Sequence, residues 1–260
     1  MDNIFNMQRF LKLLSKQTKE NYKTYLLSLA VMAGILSILL GLVVYGNHGR
    51  LDVRVQSAFF INFLLFSGAI FTSMIFSDLG DKKKAIPVLT LPVSNFERFL
   101  VGWVYSFVIF QVVFIICFYT IDFILISIGN ADPLIKNSLV GFNSETTELK
   151  IAFTVYTAIH AISFLGAVYF ERLHFIKTAF VFFIFVIAIV LINQPFTRLL
   201  FDNLEGVKGI PFVGVNVQSK TDAYMINPDD GANMITGFMA IAVTFLLWTA
   251  AFFKLKEKQV

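Results

Sequence analysis

The chain has 260 residues, 57% of them hydrophobic and 15% charged, with a net charge of +4 and a mean hydropathy of +0.74. A soluble domain carries nearer ~25% charged residues, and a soluble surface could not hide thirty-one phenylalanines, so composition excludes a soluble globular protein. The basic excess lies in short loops beside apolar runs, where it sets membrane orientation and gives no reason to expect nucleic acid as a partner.

Taken in order, residues 1–24 predict an interfacial amphipathic helix. Ile4, Met7, Phe10, Leu11 and Leu14 recur at helical spacing, with Arg9, Lys12, Lys16 and Lys19 on the other side. The alternative is a solvated basic tail. This polar lead is too long for a cleavable signal peptide. Residues 25–260 then predict a six-helix transmembrane domain. The first span covers about 25–45, near the ~20 residues a bilayer needs, with a small-residue stripe at Ala30, Gly34, Ser37 and Gly41 suited to close helix approach. The second covers about 55–76. On it Asn62, Ala69 and Ser73 share a face, and Asn62 is expected to bond across to another helix.

A charged island follows, FSDLGDKKKAIPVLTLPVSNFERF, from Phe76 to Phe99. Charges in the bilayer core cost several kcal/mol, so this segment must lie outside the hydrocarbon. Ser94 marks a possible helix start. The third span, about 99–128, is long enough to tilt or protrude. It carries Cys117, whose solitude precludes an intrachain disulfide. Beyond an outer loop come spans at about 151–170 and 178–192, the latter short for a full crossing. Residues 193–233 form the longest polar segment, helical in character at PFTRLLFDNL and irregular from Gly206 to Gly231. The sixth span is about 234–253.

Lysine and arginine set the orientation. Placing both termini, the island and the 171–177 turn inside gives fourteen basic residues there against seven outside, accounting for all twenty-one. The fold class expected is therefore an all-α integral membrane protein with six transmembrane helices and cytoplasmic N- and C-termini.

Polar groups inside spans are functional candidates by default. Asn62, Gln111, Asp122 and His160 are candidates for a polar translocation path, and Gln111 and Asp122 fall three helical turns apart on one face. Tyr156 and Ser163 lie on the face of His160. Asp122 with His160 could also form a proton relay or a metal site, although zinc sites take three or four ligands and no HExxH or similar cluster occurs. Interhelical bonding is the plainer reading of each, and solvation at the outer end is another for Asp122. No catalytic set of nucleophile, base and stabiliser can be assembled.

Two stretches carry a family resemblance. The segment KENYKTYLL entering the first span, and the loop ending IPVLTLPVSNFERFLVGW, resemble membrane subunits of the ABC-2 class of ATP-binding-cassette transporters. In that family a Leu-Pro-Val-Ser type segment with a following Glu recurs between spans two and three. The sequence match is confined to roughly 16–27 and 86–103, whereas the topological likeness covers nearly the whole chain. The second half of the outer 193–233 segment departs from the pattern, lacking the apolar character of a re-entrant hairpin.

The resemblance implies a non-enzymatic permease subunit, an exporter, working as a homodimer or with a related permease in the cell membrane (the inner membrane of a bacterium). A separate ATPase subunit would drive it through the island, with Asp78, Asp81, Lys82, Lys83 and Lys84 as contacts. Alternatively the lysines are a plain topology signal that meets anionic lipid. This chain would bind no cofactor, ATP and Mg²⁺ being held by the partner, and it contains no GxxxxGK[ST] loop to cradle phosphates. A membrane-embedded lipid-modifying enzyme and a structural subunit of a membrane complex remain the alternative classes.

Overall fold

A computed structural model describes residues 5–77, 86, 90–141, 147–171, 173–200, 207–210, 214–218, 223–226 and 229–258. Helix α1 runs unbroken from Met7 to Gly46, and Asn6 caps it by accepting from the Gln8 and Arg9 amides. The expected boundary at residue 24 is therefore not an element boundary. No glycine or proline occurs between Met7 and Ala33, so nothing interrupts the helix, and amphipathic segment and span form one rod. At 1.5 Å per residue that rod is ~60 Å long, about twice the hydrocarbon thickness.

Helix α2 spans Val53–Met74. The third span is composite: α3 (Asn95–Trp103), a π-helical turn π1 (Val104–Ile109) and α4 (Phe110–Gly129). Helices α5 (Thr147–Tyr169), α6 (His174–Leu200) and α7 (Asp230–Glu257) complete the helical set. Among the described residues six helical rods are long and apolar enough to cross a membrane, which makes the chain a multi-pass membrane protein.

Two differences from expectation concern the later elements. The fifth span is not short, because α6 continues through Pro195 to Leu200. Proline lacks the N–H that would reach the carbonyl four residues back, yet the helix continues; two residues on, the Thr197 hydroxyl donates to the Asn193 carbonyl at 2.8 Å. The described parts of the 206–231 segment include strands, where an irregular chain is expected. Strands β1 (Val207–Ile210), β2 (Gly214–Gln218) and β3 (Ala223–Ile226) form an antiparallel sheet in that order, pairing Lys208 with Asn216 and Asn216 with Met225. The all-α membrane class stands, with a small three-stranded sheet beside the helices among the described residues. Gly209 rests against Thr197 of α6, and the Asn193 side chain donates to the Gly209 carbonyl at 2.8 Å, fixing the sheet to the end of that helix.

The core is built from i, i+4 rows. Gln56, Phe60, Leu64, Gly68 and Thr72 form the buried face of α2, and Phe110, Phe114, Phe118, Asp122 and Ile126 that of α4. The rows mesh edge-on, Phe60 lying 5.3 Å from Phe114 and 5.0 Å from Phe118 between ring centroids. Helix α5 is the hub, carrying buried Tyr156, His160, Phe164 and Val168. Lipid is as apolar as these side chains, so close packing must supply the attraction. Gly68 lies against Tyr156 and Gly166 against Thr178, where a β-carbon would collide. The small-residue stripe expected to do this on α1 does not: β-carbons at Gly34 and Gly41 would meet nothing within 4 Å.

The side away from the termini is locked by amides. Asn137 accepts from Leu51 N–H and donates to the Gly49 carbonyl, both at 2.8 Å. Gln56 donates to the Ser138 carbonyl at 2.8 Å and accepts from Val140 N–H at 2.9 Å. Gly49, at a positive φ of 87°, brings its carbonyl against the Cα of Gly129. Gly129→Ala should cost about 1–3 kcal/mol through overpacking against backbone. Gly34→Ala, facing open space on a helix, should leave thermal unfolding unchanged or raise its midpoint; equal effects of the two would contradict this lock.

Candidate functional site

Two polar clusters stand out on the half of the molecule nearer the N terminus. The first forms where the charged island rejoins the helical body. Ser94 caps α3 by accepting from Glu97 N–H at 3.1 Å, and Glu97 returns the bond by accepting from Ser94 N–H at 3.0 Å. Such a reciprocal box satisfies two helix-terminal donors. The buried Glu97 carboxylate also accepts from Asn6 N–H at 2.7 Å and from Arg9 Nε at 3.2 Å, with Arg9 Nη2 3.1 Å away. One carboxylate thereby ties the start of α1 to the start of the third span. Phe5 packs edge-on to Phe96 beside it. Farther along α1, the Tyr105 hydroxyl donates to the Leu14 carbonyl at 3.2 Å and pairs with the Thr18 hydroxyl.

The second cluster centres on His160 and the π1 turn. Trp248 Nε1–H donates to His160 Nδ1 at 3.2 Å. An indole N–H can only donate, so the imidazole proton sits on Nε2 and is given to Ser106 Oγ at 2.9 Å. Ser106 in turn donates to the Gly102 carbonyl at 2.8 Å, while the Tyr156 hydroxyl donates to the Ser106 carbonyl at 2.9 Å. A π turn widens the helix and disturbs its regular ladder, and this one is braced by side chains from α5 and α7. Aromatic rings close the cluster: Phe107 lies 5.0 Å from His160, Phe164 5.4 Å, and Trp103 meets Trp248 edge-on at 5.5 Å.

The residues singled out from sequence divide accordingly. Asp78, Asp81, Lys82, Lys83 and Lys84 lie outside the described residues. Asn62 is exposed and donates to Ala58 of its own helix at 2.8 Å, so it makes no interhelical bond by that donor. Gln111 is half-buried. Asp122 is buried rather than solvated, and neither carboxylate oxygen has a hydrogen-bond partner among the described residues. His160 binds Ser106, sixteen residues before Asp122 on the same rod and thus ~24 Å away along its axis. Asp122 and His160 therefore share no site, and both imidazole nitrogens are already engaged. No group of three or more His, Cys, Asp or Glu side chains gathers as metal ligands among the described residues.

Sequence reasoning missed the partners: Arg9 for Glu97, Ser106 and Trp248 for His160, and Gln56 with Asn137 on the far side. Only the Ser94-x-x-Glu97 spacing advertised itself. In comparisons with protein-family models, curated proteins and solved structures, nothing matches this chain.

Proposed function

We propose that this protein is the membrane-spanning permease subunit of an ATP-driven transporter, an exporter whose ATPase is a separate polypeptide docking at residues 78–84 of the charged island. The observation that carries the reading is the Glu97 clasp. It sits at the point where the island's chain re-enters the helical body, and it couples that point to the longest helix of the protein. Force applied at the island would reach α1 and the third span together instead of bending a loop.

In this reading both termini and the island face the cytoplasm, as the lysine and arginine bias favours. ATP closes two partner subunits beneath a pair of permeases, identical or related, and the clasped rods rotate as one body between inward- and outward-facing states. Asp78, Asp81, Lys82, Lys83 and Lys84 form the contact, and nucleotide and Mg²⁺ stay with the partner. The resemblance of 16–27 and 86–103 to ABC-2 permeases supports the same assignment, as does the lack of a phosphate-cradling GxxxxGK[ST] sequence.

Co-purification tests it directly. Tagged protein should bring down a Walker-motif ATPase, and Lys82→Ala/Lys83→Ala/Lys84→Ala should leave membrane insertion intact while uncoupling ATP hydrolysis from transport. Turnover of a lipid by the purified chain alone, or full coupling in the triple variant, would count against the proposal.

A further inference from the structure

A cleft of about 650 Å³ runs between α1, α2 and the third span on the half of the molecule nearer the N terminus. Its α1 wall extends from Tyr25 to Ile35, with Phe66 and Met74 of α2 and Ile109 and Val113 of the third span opposite. We propose that this cleft is a binding site for an acyl chain of a membrane lipid, drawn from the leaflet on the side of the N terminus. The assignment goes beyond the transport reading and does not depend on it.

Three observations select this occupant. The first is depth. The ten helical rises of α1 from Tyr25 to Ile35 span ~15 Å, which is half of the ~30 Å hydrocarbon and so the reach of one leaflet.

The second is polarity along the cleft. At its N-terminal end Tyr25 and Tyr105 stack with ring centroids 5.5 Å apart. Their hydroxyls are held away from the cleft by α1, Tyr25 accepting from Gln17 Nε2 at 3.0 Å and Tyr105 donating to the Leu14 carbonyl. Both hydroxyls thus bind the polar stretch of α1 that precedes its apolar run, so the two rings mark the level where polar chain gives way to apolar. Beyond them the walls are almost wholly apolar, and Leu27, Phe66 and Met74 are each more than half exposed toward the surrounding bilayer. A lipid can therefore enter sideways, with its ester near the tyrosines and its chain beneath.

The third is size. Taking a methylene as comparable to the ~30 Å³ of a liquid water molecule, a sixteen-carbon chain takes up roughly 480 Å³, and the cleft of about 650 Å³ has room for it.

The test uses the full-length protein in phosphatidylcholine vesicles whose lipids carry a photoactivatable diazirine at mid-chain. Irradiation and peptide mapping should place adducts mainly on residues 25–35, 63–74 and 105–113. Ser28→Trp or Met74→Trp, which fill the cleft from opposite walls, should each cut that labelling about tenfold, the effect of removing ~1.4 kcal/mol of affinity. Ile38→Trp, exposed on α1 outside the cleft, should not. Labelling spread evenly over the exposed faces of α6 and α7, or equal effects of all three tryptophans, would overturn the proposal. Efficient disulfide dimerisation of Ser28→Cys in a Cys117→Ala background would also overturn it, because a second copy would then occupy the cleft.

Discussion

Arg9→Ala will destabilise the protein more than Glu97→Gln, although both break the same ion pair. Glu97 is buried and accepts from two backbone amides and from Arg9. Removing the arginine leaves a buried carboxylate without its cation, a change that costs about 3–5 kcal/mol for a deeply buried pair. Arg9 is 38% exposed, so water can screen and partly replace it, and ~2 kcal/mol is the expected loss. Glutamine at position 97 cancels the demand for a cation and keeps an oxygen for a backbone donor, so that variant should lose only ~1 kcal/mol, close to the worth of a helix cap. The double variant should then cost less than the sum of the two, with a coupling of about 1 kcal/mol. Thermal unfolding in detergent measures all four states of the cycle. Limited proteolysis supplies a local readout, since release of the clasp should expose residues 7–24 to cleavage before the spans unfold. Strict additivity, or an unchanged digestion pattern in Arg9→Ala, would mean that the clasp holds nothing together.

The six crossings were legible because apolar runs of membrane length leave the backbone few alternatives to a helix. What the sequence obscured was rotation about each helix axis. In water a helix shows its buried face by contrast with a polar one, but in lipid both faces are apolar and the period carries little information. Asn62 reads from the sequence as an interhelical or path-lining residue and lies outward, whereas Asp122, for which the sequence leaves solvation, a path, interhelical bonding and a relay or metal site all open, is buried on the face of Phe118 and Ile126. The glycines show the same effect. Those on α1 look like a packing stripe and touch nothing, while isolated Gly68 and Gly166 sit at close helix contacts. The single rod of α1 could have been read from its lack of breakers before Gly34. The small sheet could not: its strands are four or five residues long, and the Asn193 bond that ties β1 to the end of α6 is a tertiary contact. The clasp was half visible, its capping box being local and its arginine 88 residues away. The π turn left no sign in the sequence, because its bracing comes from helices distant along the chain.

That bracing gives the second large effect expected. His160→Phe should keep the ring packing against Phe164 and Phe107 while deleting both imidazole bonds. Interhelical hydrogen bonds within membranes are worth ~0.6 kcal/mol on average and up to ~1.7, so losing the Ser106 and Trp248 bonds should cost about 1–3 kcal/mol. Trp248→Phe removes the stranded indole donor, and adding it to His160→Phe should cost less than it does alone, since the bond it would break is already gone. The cost should be concentrated at π1. Ser106 is bound from both sides, its hydroxyl to His160 and Gly102 and its carbonyl to Tyr156, so loosening His160 frees one side of a turn that depends on outside support. Amide hydrogen exchange across residues 104–109 should therefore rise in His160→Phe and in Ser106→Ala, and stay at the parental rate in Asn62→Ala, whose donor serves only its own helix. Faster exchange spread over the whole third span would show that His160 supports general packing and not the π turn. Unchanged exchange at 104–109 would show that the turn persists through its own backbone, and the joint between the Glu97 clasp and the outer half of the span would then be rigid without these side chains.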